Sequence, residues 1–159
     1  MDRFEAILRL LLTNFEQLVV DVPRHVESFG AIALERADRI VLVLQQSVPS
    51  LHDAVCMYEF LTRSLAISSE RISVVVNRYH RSASVELADI EQALDDKELF
   101  CVPNDYRAVT ECINIGVPIY EHARRSAVTK SLLRLEKQLG GRSAESTKSF
   151  FPRLRRTGS

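Results

Sequence analysis

The stretch Ile40-Val41-Leu42-Val43-Leu44, followed by Gln45-Gln46-Ser47, decides the fold. Its apolar residues show no polar alternation. Such a run reads as a short strand covered on both faces, and strands of that kind belong to parallel sheets flanked by helices. Ser47 and Pro49 then suit the start of a helix, because serine caps and proline is tolerated in the first turn. Leu51, Val55, Tyr58, Leu61 and Leu65 mark the apolar face of that helix.

The alternation continues on both sides. Phe4, Ile7, Leu8, Leu11 and Phe15 recur at helical spacing and predict a helix over 2–14. Residues 18–22, Leu-Val-Val-Asp-Val, predict a valine-rich buried strand, and 26–37 a helix. Downstream, 72–76 predicts a strand with Asn77-Arg78-Tyr79 just beyond its end. Leu87, Ile90 and Leu94 mark a helix, and 99–102 a short strand closed by Pro103. Asn104 or Asp105 caps the next helix, with Tyr106, Val109 and Ile113 as its inner face and Gly116 as its stop. A last helix is expected over about 120–139, on a stripe of Val128, Leu132, Leu135 and Leu139. The predicted class is therefore α/β: a doubly wound parallel sheet of about four strands, with helices on both faces.

Bulk properties narrow the function. The chain has 159 residues, 46% hydrophobic and 26% charged, which suits one globular domain. Lys plus Arg and Asp plus Glu balance at 21 each, so no overall field points to nucleic acid. Three scattered cysteines form neither a disulfide framework nor a zinc pattern, and read as reduced thiols of a cytoplasmic protein. No apolar run approaches the ~18 residues needed to span a bilayer. Asp2 and Glu5 argue against a secretory signal. The segment 140–159 is expected to be a flexible basic tail, with Arg153, Arg155 and Arg156 available for weak contact with a membrane surface.

Three places could carry chemistry. Asp21 closes a predicted strand, and open parallel sheets bind ligands at the carboxyl ends of their strands. There it could hold a Mg²⁺-bound water or sense a γ-phosphate; it could equally cap the following turn. Asn77, with Arg78 beside it, offers an amide with both donor and acceptor, which suits the edge of adenine but also an ordinary turn. Pro103-Asn104-Asp105 could wall a base or simply start a helix. His25, beside Arg24, reads as a phosphate-proximal donor or an exposed loop residue. His52, His80 and His122 lack metal spacing, and Ser47 and Ser126 have no base nearby in sequence.

In this order, the pieces Leu-Val-Val-Asp21-Val-Pro23-Arg24, Ala37-Asp38-Arg39-Ile-Val-Leu-Val, Val-Val-Asn77-Arg78-Tyr79, Val102-Pro103-Asn104-Asp105 and Asn114-Ile-Gly116-Val-Pro118 resemble the MinD/ParA-like P-loop ATPases. The likeness is greatest to the CpaE/TadZ branch, which serves Flp (tight-adherence) pilus assembly. The resemblance spans about residues 4–139 and implies roles. Asp21 would be the Walker B or switch II aspartate, touching Mg²⁺ through water. Asn77, Arg78, Pro103, Asn104 and Asp105 would surround the base. ATP and Mg²⁺ would be the cofactors, with a homo-oligomer and pilus or secretion proteins as partners. The location would be cytoplasmic, with recruitment to the inner membrane or cell pole.

The phosphate side departs from that pattern. A P-loop needs a glycine-rich turn and a lysine, and none of the five glycines lies in one. Residues 1–139 are thus expected to match the C-terminal part of such an ATPase domain. The phosphate-binding strand would lie upstream of Met1, and this chain would be inactive as an ATPase. Losing that strand should expose apolar edges and leave the chain marginally stable or oligomeric. Two other readings are a non-catalytic interaction module of the same fold and a receiver-like signalling domain with Asp21 as phospho-acceptor. The receiver would need a lysine after the last strand, where Pro103-Asn104-Asp105 stands instead.

Overall fold

The computed structural model describes residues 2–24 and 26–140. His25 and the expected tail beyond Gly140 lie outside the described residues. Three strands, β1 (Ile40–Leu44), β2 (Ile72–Tyr79) and β3 (Leu99–Pro103), form a wholly parallel sheet in the order β1-β2-β3. Around it run α1 (Asp2–Asn14), α2 (Ser28–Arg36), α3 (Val48–Glu59), α4 (Leu87–Ala93), α5 (Tyr106–Ile115), α6 (Ile119–His122) and α7 (Ala127–Gln138).

Alternate strand residues choose the two faces. Ile40, Leu42, Leu44, Ile72, Val74 and Val76 enter the main core, against Leu34 of α2, Ala54 and Tyr58 of α3, Leu61, and Ile90 and Leu94 at α4. Val75 and Val102 enter a second, smaller core beneath Val128 of α7, with Val109 of α5 and Ile119 of α6 beside it. Helices thus lie on both faces, as the alternation predicts. Ser47 caps α3 by accepting from the Ser50 N–H, with Pro49 in the first turn.

Residues 18–22 do not form the expected fourth strand. Among the described residues no backbone hydrogen bond joins them to a neighbour, and Val19 is 93% exposed. Valine-rich composition makes a segment fit a sheet, but a strand exists only when a partner takes its N–H and C=O groups. The edge of β1 is not paired with this segment. The burial expected for β1 fails on one side for a related reason: Ile40, Leu42 and Leu44 are buried, while Val41 and Val43 are exposed.

The C-terminal helices also differ from expectation. Tyr106 and Ile113 of α5 are exposed; Val109 faces inward as expected, joined by Cys112. The long last helix breaks into α6 and α7 because Ser126 starts a new one. Its Oγ accepts from the Thr129 N–H at 3.1 Å, and the Thr129 hydroxyl donates to the Ala123 carbonyl at 2.7 Å. On α7, Ser131 takes an inward place and donates to the Cys101 carbonyl at 3.0 Å, while Leu132 is exposed.

Candidate functional site

The cleft lies at the carboxyl ends of β2 and β3. β2 runs three residues further than 72–76, through Asn77, Arg78 and Tyr79, and its pairing with β3 shifts between Val76 and Tyr79. Arg78 sits in that irregularity with φ +53, in the left-handed region. The Asn77 Oδ1 accepts from the Arg78 N–H at 2.9 Å, which supports the unusual backbone and fixes the amide. Among the described residues the Asn77 amide NH₂ keeps no protein partner, so it is available as a donor.

β3 ends at Pro103, and the next residues turn back toward β2. The Asn104 N–H donates to the Tyr79 carbonyl at 3.1 Å. Asp105 then starts α5: its Oδ1 accepts from the Ala108 N–H at 3.1 Å. The loop starts a helix, and the same capping residue lines the cleft.

The result is a cleft of about 240 Å³ lined by Asn77, Arg78, Pro103, Asn104, Asp105 and Tyr106, with Val109, Thr110, Ile113 and Val128 behind them. Its polar rim and apolar floor suit a flat, partly polar ring. The volume lies below the ~300–1,000 Å³ of sites for larger ligands. The chain pattern alone missed Tyr106, Thr110 and Val128 as lining residues. The i, i+4 step from Tyr106 to Thr110 on the helix that Asp105 caps was the available signal.

Gln46 was also missed. From the end of β1 its Nε2 donates to the Val85 carbonyl at 2.9 Å, and its Oε1 accepts from the His80 N–H at 2.8 Å. One amide thus holds the loop after β2 against the loop after β1. His80 in turn contacts Ser82 within the same turn, at 2.9 Å from Nδ1 to Oγ.

Asp21 is not part of the cleft. It is exposed and precedes Pro23 in an irregular segment, so no strand carries its carboxylate. Arg24, three residues on, pairs with Asp53 of α3. Among the described residues no group of three or more His, Cys, Asp or Glu side chains could hold a metal ion. Two groups, one on β3 and one on α3, have raised pKa values. Burial, then the Glu91 charge, pushes the Cys101 thiol up. Burial, then the Asp95 charge, does the same to the Tyr58 phenol.

The fold is the MinD/ParA-like α/β fold. The septum site-determining protein MinD of Thermotoga maritima is 24% identical over 171 aligned residues, covering 96% of this chain and 62% of its own length. Among solved structures, a ParA family ATPase from Chlorobium tepidum matches with a TM-score of 0.74 at 20% identity, over 83% of this chain and 55% of that one. The septum site-determining protein MinD from Pyrococcus horikoshii, in complex with Mg-ADP, matches with a TM-score of 0.69 at 16% identity, over 86% and 55%. The chain therefore spans little more than half the length of these proteins. No protein-family profile matches it.

Proposed function

We propose that residues 1–139 supply the base-side half of a nucleotide site on a MinD/ParA-like fold. In this reading the chain serves as an assembly or positioning protein of a Flp (tight-adherence) pilus rather than as an ATPase by itself. The observation that carries the nucleotide half is the single cleft shared by Asn77, Arg78, Pro103, Asn104 and Asp105. The Asn77 amide would donate to a ring nitrogen, the Asn104 and Asp105 backbone would border the ring edge, and Tyr106 at the mouth would cover a ring face. The apolar floor of Val109 and Val128 would exclude water beneath it.

ATP with Mg²⁺ is the cofactor this site would take, and the base half fits. The metal half does not fit from the described residues, because Asp21 is exposed and has no converging carboxylates. Asp21 stays a proposed switch II aspartate only in an assembly that brings a phosphate-binding loop to it. The proposed setting is a cytoplasmic homo-oligomer recruited to the inner membrane or cell pole, with pilus and secretion proteins as partners and 140–159 as the basic contact segment. Among the described residues no helix is long and apolar enough to cross a membrane.

Two assays test the two halves of this reading. A phosphate-release assay of the chain with Mg-ATP should stay at the protein-free background; turnover would contradict the inactive assignment. Deleting the gene should abolish surface pili, with rescue by the intact chain. Normal piliation in the deletion strain would contradict the pilus role.

A further inference from the structure

Helix α3 presents two metal-ligating side chains to solvent. His52 and Cys56 stand four residues apart, about one helical turn, so both project from the same side. Both are exposed, and the Cys56 Sγ lies 3.7 Å from the His52 Nε2. Of the three cysteines this is the exposed one; Cys101 is half-buried and Cys112 is buried. Neither the cysteines among themselves nor the histidines among themselves are spaced for a metal. The chelating interval runs from one residue type to the other, so neither pattern alone reveals it.

The separation fits a cation held between the two atoms. With Zn–S at about 2.3 Å and Zn–N at about 2.0–2.1 Å, a tetrahedral angle sets the donor atoms ~3.6 Å apart. The structure already holds them at 3.7 Å, so binding needs little movement. Their helix is anchored from behind, because Ala54 and Tyr58 are in the main core and Ser47 caps the first turn. Asp53, beside His52, pairs with Arg24. Ligands carried on a fixed element keep their geometry without a loop having to order. The same i, i+4 interval on one helix face is how paired histidines hold zinc.

We propose that His52 and Cys56 form a two-ligand chelate for a divalent cation of the zinc class, with water in the remaining coordination positions. A thiolate and an imidazole select such a cation over Mg²⁺ or Ca²⁺, which take oxygen donors. On binding, an S–metal bond replaces the S–H bond and the proton passes to buffer. The neutral imidazole gives its Nε2 lone pair, and two waters leave the cation. The bound cation ties one turn of α3 to the next. It favours the folded chain, because the unfolded segment does not hold the two donors at this interval. The cleft is lined from β2, β3, α5 and α7 and not from α3, so a failure of nucleotide binding leaves the proposal standing.

Two measurements on the 159-residue chain test it: urea unfolding with Zn²⁺ or Mg²⁺, and a Co²⁺ titration read by thiolate-to-cobalt charge-transfer absorption. Zn²⁺ should raise the parent's urea midpoint, and Mg²⁺ at the same concentration should not. Co²⁺ should give the charge-transfer band in the parent, and Cys56→Ser should abolish it. His52→Gln should weaken Co²⁺ binding by at least about tenfold, because the thiolate loses its tethered partner. Cys56→His keeps the interval, so it should keep the zinc-dependent rise while losing the band. Each chain is compared through its own change on adding metal, so a shifted metal-free midpoint does not affect the comparison. Equal Co²⁺ affinity of His52→Gln and the parent would show a thiol acting alone and overturn the proposal. A zinc response that persists in Cys56→Ser, is absent from the parent and Cys56→His, or is matched by Mg²⁺ overturns it as well.

Discussion

The Asn104 N–H donates to the Tyr79 carbonyl at 3.1 Å, joining the loop after β3 to the last residue of β2. That bond closes the side of the cleft where β2 and β3 fall out of register. It brings Asn77 and Asp105, 28 positions apart in the chain, to one opening.

Asp105 should matter first to stability. It caps α5, so Asp105→Ala is expected to cost ~1 kcal/mol, while Asp105→Asn, which keeps a capping oxygen, costs less. Urea denaturation of both variants measures this; equal losses would mean that the cap is not the source.

Arg78 holds a left-handed backbone at φ +53, a conformation that glycine adopts without steric strain. Arg78→Gly is therefore expected to leave stability unchanged or raise it by up to ~1 kcal/mol, whereas Arg78→Val should lower it by more than ~1 kcal/mol. Thermal melts of the two variants give the comparison.

Val43 and Val75 face each other in register but differ in exposure, 55% against 3%. Val75→Ala should destabilise by about 2 kcal/mol through lost burial and a residual cavity. Val43→Ala should change stability by less than ~0.5 kcal/mol. A large loss at Val43 would show that its face is covered in solution.

Alkaline pH should weaken the fold. The Cys101 thiol and Tyr58 phenol are raised above their ordinary values of 9.0 and 10.0, so the folded chain holds those protons more tightly than the unfolded chain. Their contribution is complete below the ordinary values and is lost as pH rises through the folded ones. Urea midpoints should fall from about pH 9 upward, and Cys101→Ala should flatten the first part of that fall.

Much of this architecture is legible in the chain. Helix α1 is readable from the spacing of Phe4, Leu8 and Leu11, and the three strands from apolar runs bounded by Gln45, Asn77 and Pro103. Local signals suffice there because caps, stops and periodicity act within a few residues. Residues 18–22 show the limit: their composition is that of a strand, but pairing depends on a neighbour that no local pattern reports. The same holds for Val41 and Val43, whose exposure depends on what covers the sheet. Five of the cleft residues were nameable because Asn77 and Arg78 follow an apolar run, and Pro103 to Asp105 lie where another such run gives way to a helix. Asp21 was nameable for the same reason, yet the strand that would place it did not form.

The central claim is the base-side cleft, and an ¹⁵N–¹H correlation titration with adenosine and with Mg-ATP tests it most directly. The expected result is fast-exchange shifts confined to Asn77, Arg78 and residues 104–110, with both ligands near millimolar affinity, about −4 kcal/mol, because the sequence carries no P-loop pattern to read the phosphates. Micromolar binding of Mg-ATP, or shifts centred away from those residues, would contradict it.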